Sequence, residues 1–193
     1  MKALVLALAL AAAPAVAQDH AHGDDQPYAG FEAREIKGLS PEDIEELRRG
    51  GGWSLALPAE LNGKPGPAHL LDLKNELALS DEQVAAIEAI FAAMKAEAIA
   101  TGERLIAAER ALSDAFAGDD LTEDQLVALL EESEAARAEL RLIHLARHLE
   151  TPPLLSDGQI ERYNQLRGYA DDPCASVPDG HDADLWRKHN GCS

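Results

Sequence analysis

The chain has 193 residues, of which 35 are acidic and 17 are lysine or arginine, so its formal net charge is −18 at pH 7. A chain of this length is long enough for one modest domain. A protein this acidic is repelled by phosphate groups and anionic lipid, so we expect no binding to nucleic acid. Cations or basic partners suit this charge better, and the alternative is that the charge only keeps the protein soluble.

Residues 1–17 have the pattern of a secretory signal peptide. The basic Lys2 precedes an apolar run, and the small residues Ala15-Val16-Ala17 form a cleavage site. The alternative is an uncleaved anchor, for which the apolar run is short. We expect cleavage, periplasmic localisation and no stable membrane insertion afterwards, and loss of Lys2 changes the formal charge from −18 to −19.

Residues 18–38 are polar, and we expect them to form a flexible segment that contains histidines. Cleavage after Ala17 would leave Gln18, Asp19 and His20 at the new N-terminus. A free amine, two backbone nitrogens and the His20 imidazole can bind Cu(II) or Ni(II) in a square plane, with His22 assisting. The alternative is a polar tail with a chance histidine, and cyclisation of Gln18 would remove the amine.

Three helix starts share one motif. It reads Leu-Ser-Asp-Glu-Gln at residues 79–83, Leu-Thr-Glu-Asp-Gln at 121–125 and Leu-Ser-Asp-Gly-Gln at 155–159. The hydroxyl can accept from the backbone three residues on, while the glutamine reaches back to the cap, which makes a capping box. A looser example begins at Ser40, with proline as the first helical residue.

Two long helices are predicted within residues 80–150. In the first, apolar or small residues recur at alternating steps of three and four, which indicates a helix packed along another. These residues are Val84, Ile87, Phe91, Met94, Ala98, Thr101, Leu105, Ala108, Leu112 and Ala115. Gly118 ends this helix, and the short turn to Thr122 predicts an antiparallel hairpin with the second helix, which stops before Pro152.

The second long helix carries two apolar stripes on nearly opposite faces. The first stripe comprises Leu126, Leu130, Ser133, Arg137, Leu140 and His144. The second stripe comprises Ala135, Ala138, Leu142, Leu145 and Leu149. The preceding helix covers one stripe, so the other requires a shorter helix or a second subunit.

Shorter helices are predicted at Ser40–Arg49, near His69–Ala78 and from Ser156 to about Arg167. Residues 50–67 are rich in glycine and proline and read as a loop, under which we expect His69 to pack. The expected fold is therefore all-α: a long antiparallel helical hairpin with shorter flanking helices, within a helical domain at residues 39–170.

Both cysteines, Cys174 and Cys192, lie in the C-terminal tail at residues 171–193. In an oxidising compartment we expect them to form a disulfide. The alternative is a zinc site that they would share with His181 and His189, although no two of these ligands are closely spaced.

The Leu-Ser/Thr-x-x-Gln repeats, behind a signal peptide, resemble the LTxxQ-motif family of periplasmic proteins over residues 66–168. This family includes Spy and CpxP and the related metal-resistance and metal-sensing proteins ZraP and CnrX. The resemblance implies a hairpin of long helices that pairs into a curved homodimer. It also implies a role in envelope stress: holding unfolded proteins without ATP, modulating a sensor kinase, or binding Zn, Cu, Ni or Co.

His144 and His148 are four residues apart and share one face of the predicted helix. Folding the hairpin about its turn places His144 level with Met94 and His148 near Phe91, while Glu97 lies about one turn away. Two histidines with Met94 or Glu97 would form a site that favours copper or zinc.

The alternative for this histidine pair is a structural or interface role. Arg137 and Arg141 precede the histidines on the same face, and cations beside a metal ion reduce its affinity. This basic stripe could instead meet glutamates of a facing helix or the acids of a partner, more tightly as the histidines become charged towards pH 6. We predict a partner-binding surface formed by Arg137, Arg141, Leu142, Leu145 and Leu149.

No serine elbow, activated cysteine, paired catalytic carboxylates or cofactor fingerprint emerges from the sequence. The first hypothesis is therefore a non-enzymatic periplasmic envelope-stress protein, Spy/CpxP-like and homodimeric, that binds unfolded clients or a partner protein and requires no cofactor. The alternative is a periplasmic protein that binds Cu, Zn or Ni for heavy-metal resistance or sensing.

Overall fold

The computed structural model describes residues 27–190 and Cys192. The predicted signal peptide at residues 1–17, together with His20 and His22, lies outside the described residues.

Contacts within the chain define two compact units, Met1–Glu32 and Ala33–Ser193. In the first unit, the rings of Tyr28 and Phe31 lie 6.2 Å apart. The second unit contains the elements described below.

The described residues form seven α-helices and no strand, which confirms the predicted all-α class. The helices are α1 (Pro41–Arg48), α2 (Leu57–Glu60), α3 (Pro67–Asp72), α4 (Asp81–Ala117), α5 (Glu123–Glu150), α6 (Asp157–Leu166) and α7 (Ala183–His189). Short 3-10 turns lie at Phe31–Ala33 and Pro152–Leu154. Within the described residues, no helix has both the length and the apolar character that a membrane crossing requires.

Helices α4 and α5 pack together as the predicted antiparallel hairpin. Thr101 contacts Glu139, and further along α4, Glu109 accepts a hydrogen bond of 2.7 Å from Ser133. Residue numbers rise along α4 from Thr101 to Glu109 while those of their contacts on α5 fall from Glu139 to Ser133, so the two helices run in opposite directions. The predicted seam of α4 is buried at Ile87, Met94, Ala98, Thr101, Leu105 and Ala108.

All four predicted helix starts form capping boxes. Ser40, Ser80, Thr122 and Ser156 each accept from the backbone N–H of the third helical residue, whose side chain accepts from the cap N–H in return. That third residue is Asp43 in α1 and glutamine in the other three helices. Each cap satisfies backbone donors that a helix leaves without partners in its first turn.

Two of these motifs also bind each other. The Gln83 amide donates to Gln159 Oε1 at 2.9 Å, and the Gln159 amide donates to Gln83 Oε1 at 3.1 Å. Gln83 also donates to the carbonyl of Leu154 at 2.7 Å, and Gln159 to that of Leu77 at 3.3 Å. The first and third motifs therefore join the starts of α4 and α6, whereas the Gln125 side chain, among the described residues, bonds within its own cap.

Two apolar clusters lie along the hairpin. One packs α1 and the residues before it on the middle of α4 and α5, and it includes Ile36, Leu39, Leu47, Leu105 and Leu140. The other packs α3 and α6 on the first turns of α4, and it includes Leu70, Leu77, Ile87 and Tyr163. A Cβ at Gly102 would lie 2.8 Å from the Leu47 carbonyl oxygen, so this glycine lets α1 approach the middle of α4.

Several elements differ from the predictions. The helix predicted near His69–Ala78 is instead α3 at Pro67–Asp72, because the chain turns before α4 and reaches a positive φ of 45° at Ala78. The predicted loop at residues 50–67 contains α2. Ile36 is fully buried, so the core draws on residues before the predicted domain start at 39.

The C-terminal tail contains a disulfide between Cys174 and Cys192, as predicted. The loop that it closes contains α7, where Asp182 caps the first turn and Arg187, Lys188 and His189 occupy the last. The Trp186 indole donates to the Pro173 carbonyl at 2.7 Å, so α7 packs back on the start of the loop.

Candidate functional site

A cavity of about 460 Å³ lies beside the predicted histidine pair. His144 and His148 border it from α5, and Phe91 and Met94 border it from α4. Its other walls come from the loop at residues 50–54, from α2 and α3, and from the residues just after α6. Helices far apart in sequence therefore meet around the predicted site.

The loop over the cavity has a strained backbone. Gly50 has a φ of 71°, and the two non-glycine residues Trp53 and Ser54 have φ values of 42° and 57°. Such positive values are costly for residues with a Cβ and persist only where surrounding contacts impose them. Here Glu46 accepts from the Trp53 backbone N–H at 2.9 Å, and Asp43 accepts from the Trp53 indole at 2.7 Å.

His144 is only 4% exposed. Burial, and after it the nearby His148, hold the pKa of His144 below its usual value, against a hydrogen bond to the Gly51 backbone. Nε2 of His144 is buried without a hydrogen-bond partner. The lowered pKa favours the neutral form of this buried ring.

His148 is also buried. Its Nδ1 lies 2.7 Å from the Lys64 carbonyl oxygen, and since a carbonyl only accepts, Nδ1 carries a proton. In the neutral form of such a ring, Nε2 has a lone pair. A Cβ on Gly66 would lie 2.7 Å from this Nε2, so the absence of a side chain there makes room for the imidazole.

Glu60 is a buried carboxylate in the cavity wall, only 8% exposed. Its Oε2 accepts from the Tyr163 hydroxyl at 2.8 Å and from the Tyr169 hydroxyl at 3.4 Å. Its Oε1 lies 4.0 Å from Nε2 of His148 and 4.0 Å from Nε2 of His69. Burial and the bond to Glu60 raise the pKa of Tyr163, which stays a donor.

Arg167 completes this group of side chains. Its Nη2 donates to the Tyr169 hydroxyl at 3.1 Å and to His69 Nε2 at 3.2 Å. Its Nε is buried and has no hydrogen-bond partner. His69 Nδ1 lies 3.7 Å from Asp72, which fits a proton on that nitrogen. The cavity wall therefore holds a carboxylate and a guanidinium on either side of His69.

The predicted metal ligands are brought together only in part. Met94, His144 and His148 border the same cavity. Glu97 instead accepts from Arg147 at 2.6 Å and is about half exposed. In residues 27–190, no group of three histidine, cysteine, aspartate or glutamate side chains is placed to hold a metal ion.

The predicted partner-binding residues divide into two groups. Leu142 and Leu149 are 65% and 76% exposed, and Arg141 is exposed beside them. Leu145 is half-buried. Arg137 lies 4.8 Å from the centre of the Trp53 ring and pairs with Glu109 at 3.4 Å, so its side chain is used within the chain.

Trp53, Glu60 and Arg167 are among the cavity-lining residues that the sequence did not predict as part of a site. The sequence prediction treated His69 only as a residue at a helix start. A local signal did exist, because Pro58 and Pro67 mark short helices that begin on each side of Gly63. No pattern in the sequence indicates that residues more than 90 positions apart, such as His69 and Arg167, would touch.

No protein-family model, curated protein or solved structure matched the chain when these were compared with it.

Proposed function

We propose that the protein is a non-enzymatic periplasmic protein of the envelope-stress type that binds unfolded proteins, or a partner such as a sensor kinase, on its helical surface. The observation that supports this most is the apolar stripe on the outer face of α5. Leu142 and Leu149, two turns apart, are among the most exposed large apolar residues of the described chain.

This stripe has the chemistry that an unfolded protein would recognise. Covering a leucine side chain with apolar surface stabilises a complex by roughly 1.5–3 kcal/mol, and this needs no ATP. Arg141 lies between Ala138 and Leu142 on the exposed face, and offers a cation to acidic segments of a client or partner. Around the stripe, the strongly acidic surface would keep the complex soluble.

The proposal is tested by aggregation of a reduced, denatured client protein. The wild-type protein should suppress the aggregation in a buffer that contains a metal chelator. Leu142→Ser/Leu149→Ser should need at least about fivefold more protein for the same effect, because both apolar contacts are lost. Glu97→Gln, a substitution on the exposed side of α4, is the matched control, and equal activity of all three proteins would refute the proposal.

We also propose a homodimer, since a second copy of the chain is one way to cover part of this stripe. Light scattering after size-exclusion chromatography should then give twice the mass of the mature chain. If Leu142→Ser/Leu149→Ser becomes a monomer but still suppresses aggregation, the stripe serves assembly and the client surface lies elsewhere.

Metal binding is the second candidate function, and the tautomer of one histidine favours it. His148 places Nδ1 2.7 Å from the Lys64 carbonyl oxygen, an arrangement typical of histidines that bind metal through Nε2. Met94 borders the same cavity, and two imidazoles with a thioether suit Cu(I). Calorimetric titration with copper or zinc should show stoichiometric binding that His144→Ala/His148→Ala abolishes and His181→Ala/His189→Ala retains; equal binding by both variants would exclude this site.

A further inference from the structure

The cavity beside α5 has the size and lining of a site for a small organic molecule. Its volume of about 460 Å³ falls in the range typical of ligand pockets. Trp53, Phe91 and Met94 supply apolar lining, and Glu60, His148 and Arg167 supply polar groups. A ligand with an apolar body and a polar head would fit a lining of both kinds.

Two hydrogen-bond acceptors lie close together in the cavity lining. Glu60 Oε1 and His148 Nε2 are 4.0 Å apart, and each has a lone pair without a hydrogen-bond donor among the described residues. An ammonium nitrogen could lie about 2.9 Å from both atoms and donate a hydrogen bond to each. The spacing of the two acceptors therefore admits a nitrogen donor between them.

A donor lies nearby. Arg167 borders the cavity and uses Nη2 for Tyr169 and His69, while its Nη1 makes no hydrogen bond to a described residue. A guanidinium matches a carboxylate well, because it offers charged N–H donors. His69 separates Arg167 from Glu60, at 3.2 Å from one and 4.0 Å from the other. Opposite charges are thus held a few ångströms apart, as they are in the head group of an amino acid.

The other charges of the lining leave this pair dominant. Arg49 and Glu46 lie 4.0 Å apart and offset each other. Lys95 also borders the cavity, but it is an exposed residue of α4, where water and salt screen its charge. A ligand that carries both charges therefore suits the site better than a polyamine or a dicarboxylate.

We propose that this cavity binds a free α-amino acid with an apolar side chain. Its ammonium group lies between Glu60 and His148, its carboxylate binds Arg167, and its side chain packs on Trp53, Phe91 and Met94. The loop that contains the strained residues Trp53 and Ser54 forms part of the lining. This site is distinct from the exposed stripe of α5, so it does not depend on client binding.

Calorimetric titration of the full-length secreted protein with L-phenylalanine, in the presence of a metal chelator, tests the proposal. We expect saturable binding of one molecule per chain. Phenethylamine, which lacks the carboxylate, and 3-phenylpropionate, which lacks the ammonium group, should each bind at least about tenfold more weakly, since each loses a charged contact. L-Leucine should compete for the same site.

Variants locate the two contacts. Glu60→Gln should weaken binding of phenylalanine by at least about tenfold without weakening binding of 3-phenylpropionate further. Arg167→Gln should likewise weaken binding of phenylalanine without weakening binding of phenethylamine further. Glu97→Gln, outside the cavity, should bind phenylalanine like the wild type. In a Trp186→Phe background, the fluorescence of Trp53 should change with the same midpoint, because Trp53 borders the cavity and Trp186 lies in the tail.

Three outcomes would overturn the proposal: no binding of phenylalanine or leucine at millimolar concentration, equal affinity for phenylalanine and 3-phenylpropionate, or unchanged affinity in a folded Glu60→Gln variant. If either buried substitution prevents folding, the comparison of the three small molecules on the wild-type protein decides the matter alone.

Discussion

Gly66 and Gly158 illustrate how differently two glycines of one chain are constrained. Gly66 caps α3 with an extended backbone that alanine could also adopt, but its Cβ would meet the His148 ring. Gly158 lies in the first turn of α6, where a Cβ would meet nothing within 4 Å. The sequence alone could not distinguish them, because the ring that approaches Gly66 comes from another helix.

Gly66→Ala should therefore destabilise the protein by about 1–3 kcal/mol, because His148 must leave its position against the Lys64 carbonyl. Gly158→Ala should leave stability unchanged or raise it by up to about 1 kcal/mol, because alanine loses less conformational entropy than glycine when the helix forms. Urea unfolding followed by circular dichroism measures both. Similar free energies of unfolding for the two variants would show that Gly66 does not accommodate the imidazole.

The buried His144 predicts a pH dependence of stability. Its folded-state pKa lies below the ordinary value of 6.5, so the unfolded chain binds the proton more readily. The contribution of neutral His144 to the free energy of unfolding is fully present above pH 6.5 and is lost as the pH falls through the folded-state pKa. The free energy of unfolding should thus fall between pH 7 and pH 5 less steeply in His144→Gln than in the wild type, and His189→Gln, at an exposed site, should follow the wild type. A His144→Gln slope equal to that of the wild type would contradict the assigned neutral state.

At the scale of helices, the three repeated motifs have two different roles. All three cap a helix, as the sequence predicted from the hydroxyl and glutamine spacing. The pairing of Gln83 with Gln159 was not predictable in the same way, because it depends on where the start of α6 packs. Gln125, at the turn of the hairpin, has no such partner and gives an internal comparison.

Gln83→Ala should cost about 2 kcal/mol of stability and Gln125→Ala less than about 1 kcal/mol, since only the first removes the bonds to Gln159 and leaves the Leu154 carbonyl without the Gln83 donor. The double variant Gln83→Ala/Gln159→Ala should cost less than the sum of its single variants, by at least about 0.5 kcal/mol. Denaturant unfolding gives all four values. Equal losses for Gln83→Ala and Gln125→Ala, or additive losses in the double variant, would mean that the two motifs do not act together.

Short helices set the limit of prediction at this scale. The repeating steps of α4 and α5 extend over many turns, so the hairpin and the joint position of Met94, His144 and His148 could be predicted. Helix α2 has four residues and α7 has seven, too few for a periodic pattern. An Asp182 cap and a basic last turn were nevertheless signals for α7 that the sequence prediction did not use.

For the whole molecule, the features that bear on function lie on two sides of α5. The side towards the cavity carries His144 and His148 among residues from several other segments, which only the folded chain brings together. The outer side carries Leu142 and Leu149, which no described residue covers well. Within the described residues, Leu145 of the second apolar stripe is half-buried while Leu142 and Leu149 stay exposed, and the prediction that they need a partner remains a proposal.

That proposal is the central claim, and site-specific photocrosslinking tests it most directly. A benzophenone amino acid is placed at Leu149, on the outer stripe, or at Ala107, an exposed position of α4, and each protein is illuminated with a denatured client. We expect crosslinks to the client from position 149, at a yield at least about fivefold above that from position 107, because apolar segments bind the stripe. Equal yields, or a higher yield from position 107, would contradict the claim.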